Sequence, residues 1–154
     1  MARYVARVRT PWSVSEAFAL VSDMRTFPTW DPGVTAVKQV AGDGPGLGAA
    51  YDLRASAVPR DLTLRYETVR FEAPTSPGAA MEVCLIARSS TVTSVDVITA
   101  RPLEDGTEVV YDADLRLNGP LRVADLGLRA AFQIIGARAE TGMRRALEGT
   151  SVPA

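Results

Sequence analysis

Apolar and polar positions alternate along residues 3–10. Tyr4, Ala6 and Val8 take one phase and Arg3, Val5, Arg7 and Arg9 the other, which predicts a strand that Pro11 ends. Ser13-Val-Ser-Glu16 then has the spacing of a capping box, in which the serine hydroxyl satisfies an orphan backbone N–H and the glutamate reaches back. It starts a short helix to about Ser22 that buries Val14, Ala17, Phe18 and Val21. Pro28 and Pro32 restrict residues 24–32 to helical turns, and this connection carries Phe27, Trp30 and Asp31. From Val34 onward, alternating runs are separated by turn chemistry at 42–48, 58–61, 73–78 and 104–106, the pattern of an antiparallel meander.

The last hairpin can be given a register. Across the Glu104-Asp105-Gly106 turn, Pro102 faces Thr107, Arg101 faces Glu108, Ala100 faces Val109 and Ile98 faces Tyr111, so charges pair on one face and apolar groups on the other. The same register sets Asp96 beside Ala113 on the apolar face, an odd place for a carboxylate. Beyond Asn118-Gly119, Pro120 suits a first helical position. Leu121, Ala124, Leu128, Phe132, Ile135, Ala139, Met143 and Ala146 then recur three or four residues apart, predicting one long helix to about Leu147 with a single apolar stripe. Gly127, Gly136 and Gly142 each lower its intrinsic preference by about 1 kcal/mol relative to alanine, so tertiary packing must hold it, with Gly127 as the candidate kink. Helices segregated from a run of antiparallel strands define an α+β domain in which sheet face and helix face meet. One domain over 1–150 is expected, with 151–154 as a short tail.

Composition narrows the chemistry. With 154 residues, 47% hydrophobic and 23% charged, the chain suits one globular domain. The net charge of -1 and the scattering of arginines argue against a nucleic-acid partner. The basic N-terminus precedes an apolar run that is short and contains Glu16, with no small-residue cleavage site after it, so a cytoplasmic protein without membrane insertion is expected. A lone cysteine and no histidine remove an intrachain disulfide, the usual zinc sites, and Ser-His or Cys-His catalysis. No cofactor or metal is expected. Cys84 takes the outward phase with no basic neighbour in sequence, which suits packing rather than nucleophilic chemistry. The glycine-rich 42–48 loop joins two strands rather than a strand to a helix N-terminus, so it lacks the mechanism of a phosphate cradle.

Four stretches carry a family resemblance: ARVRTPWSVSEAFAL at 6–20, FPTWDPGV at 27–34, DGTEVVYDADLRL at 105–117, and 118–147, which opens NGPLRVADLGL and closes GMRRAL. In order and spacing the chain resembles the START-like or SRPBCC superfamily, within it the bacterial polyketide cyclase/dehydrase and lipid-transport group. The resemblance implies a helix-grip fold, a curved antiparallel sheet wrapped around a long C-terminal helix. It also implies an internal cavity between them, entered near the short helices and the strand loops. It further implies a small hydrophobic ligand such as a lipid, steroid or polyketide, held by a monomer or homodimer; some members fold and dehydrate polyketide chains.

Within such a fold, the inward phase supplies candidate ligand-binding walls at Tyr51, Leu53, Leu64, Tyr66, Val83, Ile98 and Val109. Trp30 stands at the entrance, as gate or as core plug, and Phe132 and Ile135 face in from the helix. Mostly apolar walls with a few polar groups make a pocket, although side chains filling a solid core would alternate in the same way. Asp96 is the candidate catalytic acid or base, with Tyr111 beside it; a bulge or a structural hydrogen bond would explain it equally. Tyr51, Tyr66 and Tyr111 could place phenol hydroxyls around a ligand oxygen. Polyketide cyclases of the family polarise a carbonyl with a pocket arginine, yet Arg54 and Arg65 fall on the outward phase. The leading expectation is binding of a hydrophobic or polycyclic molecule. The alternative is a cofactor-free cyclase or dehydratase using Asp96 and the tyrosines.

Overall fold

The computed structural model describes residues 1–56, 61–73, 76 and 78–153. Its strands are β1 (Ala2–Thr10), β2 (Val34–Ala41), β3 (Ala50–Ala55), β4 (Leu62–Glu72), β5 (Met81–Arg88), β6 (Val92–Leu103), β7 (Gly106–Leu117) and β8 (Thr150–Ser151). They form one antiparallel sheet in the order β2-β3-β4-β5-β6-β7-β1-β8, so the first strand closes against the last hairpin. The β6–β7 register is the one read from the side chains, from Pro102 opposite Thr107 to Asp96 opposite Ala113. Turns expected at Val58-Pro59-Arg60 and at Pro74, Thr75 and Pro77 lie outside the described residues.

The helices are α1 (Val14–Ser22), α2 (Phe27–Trp30) and α3 (Asp125–Ala146). The capping box is formed: the Glu16 N–H donates to Ser13 Oγ at 3.3 Å, and the Ser13 N–H donates to Glu16 Oε2 at 3.1 Å. A 3-10 turn, Met24–Thr26, links α1 to α2, as the prolines require. The long helix begins later than its apolar pattern predicts. Residues Gly119–Ala124 wind as a 3-10 turn, and no side chain caps the α-helix at Ala124. After α3 the chain returns to the sheet, where β8 lies along the edge of β1 and the Val152 N–H donates to the Arg7 carbonyl at 2.9 Å.

The apolar stripe of α3 is fully covered over its C-terminal half, where Ala139, Met143 and Leu147 are buried and Ala146 packs against the core, and only partly before it, where Phe132 is half-buried. Towards the N-terminal end, Leu121 and Ile135 remain 44% and 42% exposed, and Leu126 lies open on the same segment. Two of the three helix glycines explain how the covered half fits. A side chain at Gly136 would collide with the Tyr4 ring, and one at Gly142 with the Trp30 carbonyl. These glycines mark where the backbone comes closest to β1 and to the end of α2. Gly127 has open space around it and lies within the continuous span of α3.

The shared core joins the helix-bearing face of the sheet to α1, α2 and the last turns of α3. Phe18, Val21, Met24 and Phe27 meet Val83, Leu85, Ile98 and Val109 in it. On the outer face, Glu108 is almost enclosed by Arg7, Arg9 and Arg101, with its carboxylate only 5% exposed.

Candidate functional site

Strand alternation places Asp96 on the helix-bearing face, between Leu85 of β5 and Ala113 of β7, where it is 4% exposed. Ser94, two residues earlier and so on the same face, donates its hydroxyl to Asp96 Oδ1 at 3.2 Å. Tyr111, on the same face of β7, donates to Asp96 Oδ2 at 3.1 Å. Tyr66 of β4 lies in one cross-strand row with Ala87 and Ser94, and the small alanine between them leaves its ring free to reach Ser94 and Asp96. Alanines at 87 and 113 thus give two tyrosines room to converge on one carboxylate.

Burial pushes the Asp96 carboxyl up to about 7. Hydrogen bonds from Tyr111, Ser94 and Tyr66 hold it down against that trend, and the charge of Asp31 adds to the rise. Burial, then the neighbouring carboxylate, raises Tyr66 and Tyr111 well above the ordinary phenol range. Asp31 is itself buried in the turn after α2, and burial raises its carboxyl. Its Oδ1 accepts the Gly33 N–H at 2.8 Å, an Asx turn that fixes the carboxylate's direction. Trp30 packs beside it, edge-on to the Tyr111 ring at 6.2 Å and against Phe27 at 4.6 Å. The sequence pattern locates Asp31 only in the connection after α1. Its electrostatic coupling to Asp96 comes from a loop conformation that has no periodic signature.

The remaining candidates divide. Leu53 and Leu64 are paired neighbours on the same face, Val83 and Ile98 share a row with Tyr111, and Val109 is fully buried beside Ala100. Tyr51 is on that face directly opposite Tyr66, but its hydroxyl is directed away from Asp96 and donates to the Gly44 carbonyl at 3.4 Å, in the glycine loop. Trp30 is 4% exposed, with its indole N–H donating to Thr26 Oγ1 at 3.3 Å. Phe132 packs half-buried against the core, and Ile135 lies near Gly33 with much of its surface open. Arg54 and Arg65 are exposed, Arg65 clasping Asp52 at 2.7 and 2.9 Å. Cys84 is buried, and burial raises its thiol, although Arg70 lies across the strand pair from it. A separate open cleft of about 1090 Å³ lies between α2 and α3, lined in part by Pro28, Trp30, Ile134, Arg138 and Arg145. Among the described residues, no cluster of carboxylates and thiols could hold a metal ion, and no helix is long and apolar enough to cross a membrane.

A sheet packed on a long C-terminal helix, with aromatic short helices closing one end, is the START-like helix-grip architecture. Solved structures share it at low sequence identity. A STAR-related lipid transfer protein fragment from Xanthomonas axonopodis superposes with a TM-score of 0.68 at 19% identity, over 95% of this chain and 85% of that one. A START superfamily protein from Mycobacterium smegmatis gives 0.67 at 15%, over 96% and 98%. The di-domain ARO/CYC BexL of the BE-7585A biosynthetic pathway gives 0.59 at 13%, over 94% of this chain and 47% of that one. No curated protein matches the sequence. The chain belongs to the family described as polyketide cyclase/dehydrase and lipid transport, whose profile matches residues 1–148. Membership implies a small hydrophobic ligand.

Proposed function

We propose that the protein binds a hydrophobic or polycyclic molecule, lipid- or polyketide-like, between the sheet and the N-terminal half of α3, with its polar end against Asp96, Tyr111 and Tyr66. The observation that carries this reading is the buried carboxylate. Burying Asp96 costs desolvation that its hydrogen bonds only partly offset, since its carboxyl stays raised, and a pocket needs a few polar groups to orient its guest. The uncovered apolar surface of Leu121, Leu126 and Ile135 supports it, as does the slight residual exposure of Leu53, Leu64, Tyr66, Tyr111 and Ala113. Leu53, Leu64, Val83, Ile98, Val109, Phe132 and Ile135 are the proposed apolar walls, Trp30 closes the end, and Tyr51 braces the glycine loop. Native mass spectrometry of the purified protein tests the reading. A small molecule that is retained in the folded protein and released on denaturation is expected. A protein that copurifies with nothing and gains no thermal stability from any apolar probe would overturn it.

One observation favours a second reading, a cofactor-free cyclase or dehydratase. A carboxyl group that titrates at about 7 suits proton transfer near neutrality. Asp96→Asn separates the two: binding kept with turnover lost supports catalysis, and unchanged turnover removes Asp96 from the chemistry.

A further inference from the structure

The polar groups of the proposed pocket are unequally divided between donors and acceptors. Asp96 and Asp31, when ionised, only accept hydrogen bonds. The hydroxyl protons closest to them are already committed, since both Tyr111 and Ser94 donate to Asp96. A guest carbonyl or carboxylate would find these donors occupied, while the carboxylates of Asp96 and Asp31, each with more lone pairs than partners, can still accept. Charge points the same way. Among the described residues, every arginine and the single lysine is exposed or half-exposed. Those on the strands lie on the outward phase, several in ion pairs with Asp52, Glu82, Glu108 or Asp112. Two buried carboxylates, Asp31 and Asp96, therefore lie at the proposed pocket with no cation among the groups acting on them.

Resting on the ligand-binding reading above, we infer that this site selects an apolar guest bearing a protonated amine and rejects one bearing a carboxylate. An ammonium brings donors and a charge opposite to that of Asp31 and Asp96. A carboxylate would be buried against like charge with no partner, the unpaired-charge penalty by which sites discriminate. A neutral alcohol, which donates one hydrogen bond and carries no charge, falls between.

The test uses wild-type protein and three probes that share one ring system: naphthylmethylamine, naphthalenemethanol and naphthoate, titrated calorimetrically at one pH above neutrality. The amine should bind at least about tenfold more tightly than naphthoate, with the alcohol between them. Asp31→Asn and Asp96→Asn, each checked for a native circular dichroism spectrum, should each shrink that ratio. Equal affinities, or naphthoate as the tighter ligand, would overturn the preference and leave the pocket standing. A ratio unchanged in both folded variants would overturn the assignment to these carboxylates. No saturable binding of any probe would count against the ligand-binding reading itself, and this inference would fall with it.

Discussion

Gly142 of α3 lies directly against the carbonyl of Trp30, so closely that a β-carbon there would overlap the backbone. Alanine at this position would gain about 1 kcal/mol of helix preference. It would also force apart the joint between α3 and α2, an overpacking cost of about 1–3 kcal/mol, and loosen the packing around the buried Trp30. The second effect prevails, because the neighbour is backbone and cannot rotate away. Gly142→Ala should therefore lower stability in urea denaturation. Gly127→Ala, in open space, should raise it by about 0.5–1 kcal/mol.

Asp96 makes stability depend on pH in a direction unusual for an aspartate. Its folded-state value of about 7 lies above its ordinary 3.8, so the folded chain holds the proton more tightly than the unfolded one. Its contribution is fully present below about pH 4 and is lost as pH rises through about 7, with a slope of up to about 1.4 kcal/mol per pH unit in between. Asp31, also raised, acts in the same direction. Denaturation midpoints measured from pH 4 to 8 should show stability declining from this pair on the alkaline side. Asp96→Asn should flatten the decline, and an unchanged slope would contradict the assignment.

Tyr111→Phe keeps the ring against Trp30 but removes the hydroxyl that holds Asp96 Oδ2. Losing that bond should cost about 1–2 kcal/mol. It should also move the Asp96 titration further upward, because one of the groups favouring the ionised form is gone. Carboxyl-carbon NMR titration of variant and parent reads this shift directly.

On the opposite face, Glu108 is shared by Arg7, Arg9 and Arg101. Glu108→Gln would leave three guanidinium groups repelling one another around a neutral amide. The arginines are exposed enough for water and salt to screen much of this, so a loss of about 1–2 kcal/mol is expected, smaller at high ionic strength. Guanidinium chloride would mask the salt effect; urea melts at two salt concentrations would reveal it.

The register of the last hairpin and the inward aspartate were legible because a period of two leaves each side chain a choice of only two faces. Once Arg101 meets Glu108 and Ile98 meets Tyr111, Asp96 has to point inward. Helix α3 was less legible. Its stripe tells which residues share a face, but not how far along that face the sheet extends, so Leu121 and Ile135 belong to the stripe and yet stay uncovered. Likewise, a propensity scale scores Gly136 and Gly142 as defects, whereas the fold uses their missing side chains for close approach to Tyr4 and Trp30. Asp31 and the Tyr51 hydroxyl take their directions from loop conformations, which alternation does not encode.

The closing of β1 against β7 sets an order of events for the nascent chain. Arg3 and its partner Asp112 are 109 residues apart, so β1 finds its neighbour only when the last hairpin has followed it off the ribosome. Until then its apolar phase and its backbone donors stay unpaired. The loop that must close spans the 109 residues between Arg3 and Asp112, a non-local topology that folds slowly. The seat for α3 on β1 is thus completed only once β7 has paired, and a guest of the proposed pocket must wait for that closure.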